Sequence, residues 1–183
     1  GVFSILMVIC YVFGPEFMNS SGSGKFLIWA STITLFLSSV IAIRKNDIKA
    51  RLAYSTVSQL SYIILGGAIA TNYSLIASVS NIMMHGVGKI TLFFCAGAIY
   101  VSTKITKITD LNGIGHKMPL TFIAFSIGAL SIIGIPPLGG SWSKFYLLLG
   151  AAQSELTIII IILAISTLLN TCLLYTSPSP RDI

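Results

Sequence analysis

The chain has 183 residues, a net charge of +6 and only 9% charged side chains, with a mean hydropathy of +0.92. A water-soluble domain coats itself with about 25% charged residues, so this composition excludes a soluble enzyme and calls for lipid as the solvent. In a soluble protein the positive charge would point to nucleic acid; here it sits in two short stretches between apolar blocks and reads as membrane topology, with no nucleic-acid partner.

Residues 1–13 read as the end of a helix that Gly14-Pro15 stops, with a Ser/Gly-rich loop running on to Lys25. No methionine opens the chain, and residue 1 already lies in an apolar run, so the expectation is an N-terminally truncated piece. A second helix covers 26–43 without a single charge, and the basic loop 44–51 follows. A third helix, 52–70, carries Ser55, Ser58 and Gln59, too much polarity to face lipid all round. Those three side chains either line a chain of water molecules or join helices by hydrogen bonds worth under about 1 kcal/mol each. A fourth helix covers 75–101, and the loop 102–118 adds Lys104, Lys107, His116 and Lys117. The fifth segment, 120–152, would rise about 50 Å as one straight helix, against a hydrocarbon core of about 30 Å. Pro136, Pro137, Gly139 and Gly140 therefore mark a break within it, a geometry tolerated at membrane depth only inside protein or beside water. A sixth helix starts at 156 and runs to about 171. The Pro/Ser-rich stretch beyond it, 172–183, is read as a non-native tail similar to translated sequencing-adaptor sequence.

The expected architecture is all-α: a polytopic transmembrane bundle of about six helical segments over 1–171. Lysine and arginine alternate with the crossings. Arg44, Lys45, Lys49 and Arg51 fall in one loop and Lys104, Lys107 and Lys117 in another, while the intervening loops hold only Lys25. By the positive-inside rule, loops 44–51 and 102–118 face the cytoplasm of a cell whose inner membrane holds the chain.

Three residues stand out chemically. His85 and Lys89 are four apart, hence on one face of the fourth helix, deep in an apolar span. Lys144 lies just beyond the break. A charge at the bilayer centre costs at least about 2.5 kcal/mol, so it is rare and normally faces the bundle interior or water. Desolvation makes a lysine give up its proton more readily, and histidine titrates near neutrality already. A His/Lys ladder is therefore suited to passing protons; the competing reading is a structural polar pair, or, for Lys144, a re-entrant turn at the interface. Cys10, Cys95 and Cys172 lack metal-ligand spacing, so no metal site is expected, and no phosphate loop or nucleophile motif points to catalysis by this chain alone.

Four motifs carry a family resemblance: Asn46-Asp-Ile-Lys-Ala-Arg-Leu-Ala-Tyr-Ser-Thr-Val-Ser-Gln59, His85-x-x-x-Lys89, Gly134-Ile-Pro-Pro-Leu-Gly-Gly140 and Ser141-Trp-Ser-Lys144-Phe. With them the chain resembles the antiporter-like membrane subunits of respiratory complex I and of Mrp-type cation/proton antiporters. The wording from Gly88 to Tyr100 is most similar to the MrpD branch of the antiporters. The resemblance implies the second of two inverted repeats and a hydrated axis on which Lys89, His85 and Lys144 match pathway residues. Gln59 stands where many members have histidine, which puts a relay role there in doubt. It also implies partner membrane subunits, H⁺ and Na⁺ as transported ions, and no flavin, iron–sulfur cluster or NADH on this chain. The implied functions are a subunit of a Na⁺/H⁺ antiporter, or a proton-pumping subunit of an NADH:quinone oxidoreductase or related hydrogenase. A structural membrane scaffold is the alternative of a different class.

Overall fold

A computed structural model describes residues 1–20, 22–111 and 115–175; the expected foreign tail falls outside them from residue 176 onward. The described residues form eight helices: α1 (Val2–Phe13), α2 (Pro15–Ser20), α3 (Gly22–Arg44), α4 (Ile48–Ile69), α5 (Asn72–Thr103), α6 (Pro119–Ile133), α7 (Gly139–Gln153) and α8 (Thr157–Tyr175). α3, α4 and α5 are long and apolar enough to cross a membrane, while α1, α6 and α8 are shorter apolar helices.

Several helix ends have a visible chemical cause. Asp47 accepts the Ala50 amide at 3.0 Å and so starts α4 four residues before the point that hydropathy suggests. Lys49 and Arg51, expected in the loop, thereby belong to its first turn. Thr71 and Ser74 cap α5 reciprocally. Residues 14–25 are the main correction. Among them 15–20 form α2 and 22–25 the first turn of α3, where the sequence pattern predicts a loop. Proline at the first helical position costs α2 nothing, since that amide has no helical partner. Gly24 lies so close to the Met18 carbonyl that any Cβ would collide with it, so its missing side chain lets α2 and α3 pack. At the other end, α8 continues through Tyr175, and Leu173 is fully buried in a core cluster. Residues 172–175 thus continue α8.

The interior has two apolar clusters. One gathers Leu52 of α4, Leu92 and Ile99 of α5, Phe122, Phe125 and Ile132 of α6, and Leu173 of α8. The other gathers Leu35 of α3, Tyr62 and Leu65 of α4, Ala77 of α5, Leu147 of α7, and Ile159 and Leu163 of α8. Along α3, α4, α5 and α8 one set of buried polar residues falls between the positions given to the two clusters: Ser39; Ser55, Ser58 and Gln59; Asn81, His85 and Lys89; Ser166 and Asn170; Ser31, Thr32, Arg51 and Ser74 are buried outside it, toward the helix ends. The core is a polar band held between two apolar ends.

The two basic loops meet at one end. The Ile48 amide donates to the Thr106 carbonyl at 3.0 Å, and the Ile108 amide to the Asn46 carbonyl at 2.9 Å. The charge alternation leads one to expect these loops on one side of the membrane, and in the structure they are hydrogen-bonded to each other.

Candidate functional site: a polar band with two lysines

Lys89 projects from α5 onto α4. Its ammonium donates to the Leu52 carbonyl at 2.9 Å and to the Ser55 hydroxyl. Ser55 in turn donates to the same carbonyl at 3.0 Å. Every partner is neutral. Among the described acidic residues, Glu16, Asp47, Asp110 and Glu155, none lies in the band.

Lys144 is placed by the break. α6 stops at Gly134, whose φ of 88° is open to glycine and strained for other residues. The chain then turns through Ile135, Pro136, Pro137 and Leu138 before α7 begins. Gly139 and Gly140 form the first residues of α7 rather than the break itself. They serve close packing there: a Cβ on Gly140 would strike the Ser131 carbonyl, and one on Gly139 the Met84 side chain. The last carbonyls of any helix lack helical partners and carry its negative dipole end. Here Lys144 Nζ takes two of them, Ile132 at 2.9 Å and Ile133 at 2.6 Å. Its ammonium also stands 6.0 Å from the centre of the Tyr62 ring.

Between the lysines lie His85, Gln59 and a residue that the sequence pattern alone does not single out, Asn81. Neither ring nitrogen of His85 has a hydrogen-bond partner among the described residues, nor has Gln59 Nε2. Both side chains line a cavity of about 10 Å³ together with Asn81 and Ser131. A second cavity of about 10 Å³ is lined by Asn81, Ser143, Tyr62 and Lys144. Each is of the size that admits about one water molecule, and each has the polar walls a water needs. Asn81 belongs to both walls. Its amide points to the Gln59 carbonyl at 3.4 Å and its oxygen lies 3.3 Å from the Ser143 hydroxyl. A signal for it exists in the spacing: Asn81 precedes His85 by four, so Asn81, His85 and Lys89 form one ladder on α5.

The three polar residues grouped on α4 part company. Ser55 serves Lys89, and Gln59 serves the His85 cavity. Ser58 turns the other way, to Ser39 at 2.7 Å.

A family model described as NADH:quinone oxidoreductase/Mrp antiporter, transmembrane, matches residues 1–170. The chain belongs to this family. Within it, the chain is 35% identical over 169 residues to NADH-quinone oxidoreductase subunit N of Desulforudis audaxviator, covering 92% of the chain and 33% of that protein. It is 37% identical over 139 residues to NAD(P)H-quinone oxidoreductase chain 5 of Synechocystis, covering 71% of the chain and 19% of that protein. Among solved structures, the fold matches a chain of the Mrp complex from Dietzia at a TM-score of 0.88 with 24% identity, covering 96% of this chain and 32% of that one. It matches a chain of respiratory complex I from Thermus thermophilus at 0.85 with 21% identity, covering 94% and 37%. The chain therefore spans about a third, or less, of the length of these family members. Family membership fixes it as membrane-embedded and all-helical, in agreement with the composition and the helices described.

Proposed function

We propose that this chain is part of a proton-conducting membrane subunit whose protons pass along Lys89, His85, Asn81 and Lys144. The observation that carries the reading is the pair of water-sized cavities sharing Asn81 as a wall, one reached by His85 and the other by Lys144. A neutral imidazole has one donor and one acceptor nitrogen, so with water in its cavity His85 can take a proton on one side and release one on the other. Asn81 is not itself a proton carrier; it orients the two waters. Lys89 and Lys144 are the charge stations, and each leaves its ammonium on neutral oxygens that hold it without trapping it as a carboxylate would.

The assembly we favour is a multisubunit Na⁺/H⁺ antiporter in the cell's inner membrane, with partner membrane subunits and with the basic loops facing the cytoplasm. A second reading, a proton-pumping subunit of an NADH:quinone oxidoreductase, is favoured by the names of the relatives above 30% identity. Inverted vesicles holding the full-length subunit in its complex separate the two. A Na⁺ pulse drives proton movement under the first reading, and NADH oxidation drives it under the second. In either system Lys89→Ala is expected to reduce driven proton movement to background at normal assembly. Wild-type transport in that variant would return the chain to the role of a scaffold.

A further inference from the structure

A second line of polar groups runs outside this axis, between α3, α4 and α8. On α4 it consists of Arg51, Ser58 and Tyr62, spaced seven and four apart and so on one stripe of the helix. On α8 it consists of Ser166, Thr167 and Asn170. The two stripes meet in antiparallel order. Arg51 Nη1 donates to the Leu173 carbonyl at 3.2 Å. Ser58 reaches Ser166 through Ser39, at 2.7 and 2.9 Å. The Tyr62 hydroxyl lies 3.3 Å from Thr167 Oγ1. At the Tyr62 end the line reaches a cleft of about 950 Å³ whose walls are mostly apolar, Trp142, Phe145, Leu148 and Leu163 among them, with Tyr62, Thr167 and Lys144 as its polar groups on the side of the line.

Two details do not fit simple inter-helix hydrogen bonding. Asn170 is 1% exposed; its side chain lies beside the Tyr62 hydroxyl, yet neither its nitrogen nor its oxygen makes a well-formed hydrogen bond among the described residues. A buried amide left this way calls for a partner such as water. At the basic-loop end, Arg51 lies across the line. Its guanidinium donates to the carbonyls of Lys45 at 3.1 Å and Ile43 at 3.2 Å as well as to Leu173. It thus fastens the ends of α3 and α8 and sets a permanent positive charge at the mouth. A fixed arginine of this kind excludes protons and cations electrostatically from an otherwise polar file.

We propose that this seam is a water file leading from the cleft beside Lys144 toward the basic-loop end, and that Arg51 is the plug that keeps it from leaking protons. The inference rests on the reading of the chain as a proton-carrying subunit, but its test is passive leak rather than driven transport. In vesicles holding the full-length subunit in its complex, Arg51→Leu is expected to speed the decay of an imposed pH gradient several-fold. Adding Asn170→Leu, which fills the seam with an apolar side chain, is expected to return the decay to the wild-type rate. Wild-type decay in assembled Arg51→Leu overturns the proposal. So does a leak that Asn170→Leu leaves unchanged, because it would come from loosened packing. Should Arg51→Leu fail to assemble, Asn170→Cys decides, with Cys10 and Cys172 replaced by serine and Cys95 by alanine. A small hydrophilic thiol reagent labels the new cysteine if the seam holds water, and absence of labelling overturns the proposal. Driven transport in Lys89→Ala reports separately on the axis, so failure of either reading is recognised without the other.

Discussion

Lys144 serves two ends that ordinary substitution confounds. Its ammonium closes the carbonyl end of α6, and the same ammonium is the proposed charge station. Lys144→Ala would leave the Ile132 and Ile133 carbonyls unpaired at the break, at a cost of about 1–3 kcal/mol each. Lys144→Arg keeps a cationic donor there but holds its proton at any accessible pH. Thermal unfolding in detergent is therefore expected to fall for the alanine variant and to stay close to wild type for the arginine variant, while driven proton movement is lost in both. Transport retained by Lys144→Arg would remove Lys144 from the set of titrating stations. Asn81 lies at the opposite extreme, since it carries no charge and its value is its place between two cavities. Asn81→Leu is expected to leave assembly intact and slow proton movement, as read by the initial rate in the same vesicles. The lysines and His85 are legible in the sequence because lipid makes ionisable groups conspicuous. Asn81 is less so: its spacing puts it on the ladder of His85 and Lys89, but an uncharged amide in an apolar helix becomes meaningful only once the cavities on both sides of it are known.

At the scale of elements, the broken segment is legible from length and proline alone: one straight helix cannot fit the bilayer, and two adjacent prolines fix where it gives way. The exact ends are less legible. Asp47 lengthens α4 and Thr71 lengthens α5, through capping bonds that composition does not weigh. Residues 14–25 mislead because serine and glycine signal loops by propensity, whereas here tight packing of Gly24 on Met18 outweighs propensity. The same distinction can be measured on glycines. Gly140→Ala drives a Cβ into the Ser131 carbonyl, so α7 must shift off the end of α6. Overpacking of this kind typically costs about 1–3 kcal/mol. Gly97, on α5, has nothing within 4 Å of its would-be Cβ. Gly97→Ala is expected to be neutral or stabilising by up to about 1 kcal/mol. Parallel melting curves of the two variants test whether the glycines of α7 are there for proximity.

Over the whole molecule, with Lys144 as the exception, stability and the proposed transport fall on different residues. Leu65 and Leu92, fully buried, sit in opposite clusters. Truncating either to alanine is expected to cost about 2 kcal/mol, the lower end for such changes, because lipid is as apolar as the core and mainly packing is lost. Driven transport per assembled complex should change little. The polar band should behave in reverse, with Ser58→Ala or Asn81→Leu barely moving the melting temperature. Hydropathy can show that α4 and α5 carry polar residues, but not that those of α3, α4, α5 and α8 line up at one level, since that depends on helix register across the bundle.

That alignment has an electrical consequence. A membrane potential falls across the poorly polarisable parts of whatever spans the bilayer, and here those are the two apolar clusters. A unit charge crossing the full thickness does work of about 2.3 kcal/mol per 100 mV. On the proposed path most of that work falls on entry to the band and exit from it, and less on passage between Lys89 and Lys144. Such a path is expected to feel voltage chiefly at its two thresholds.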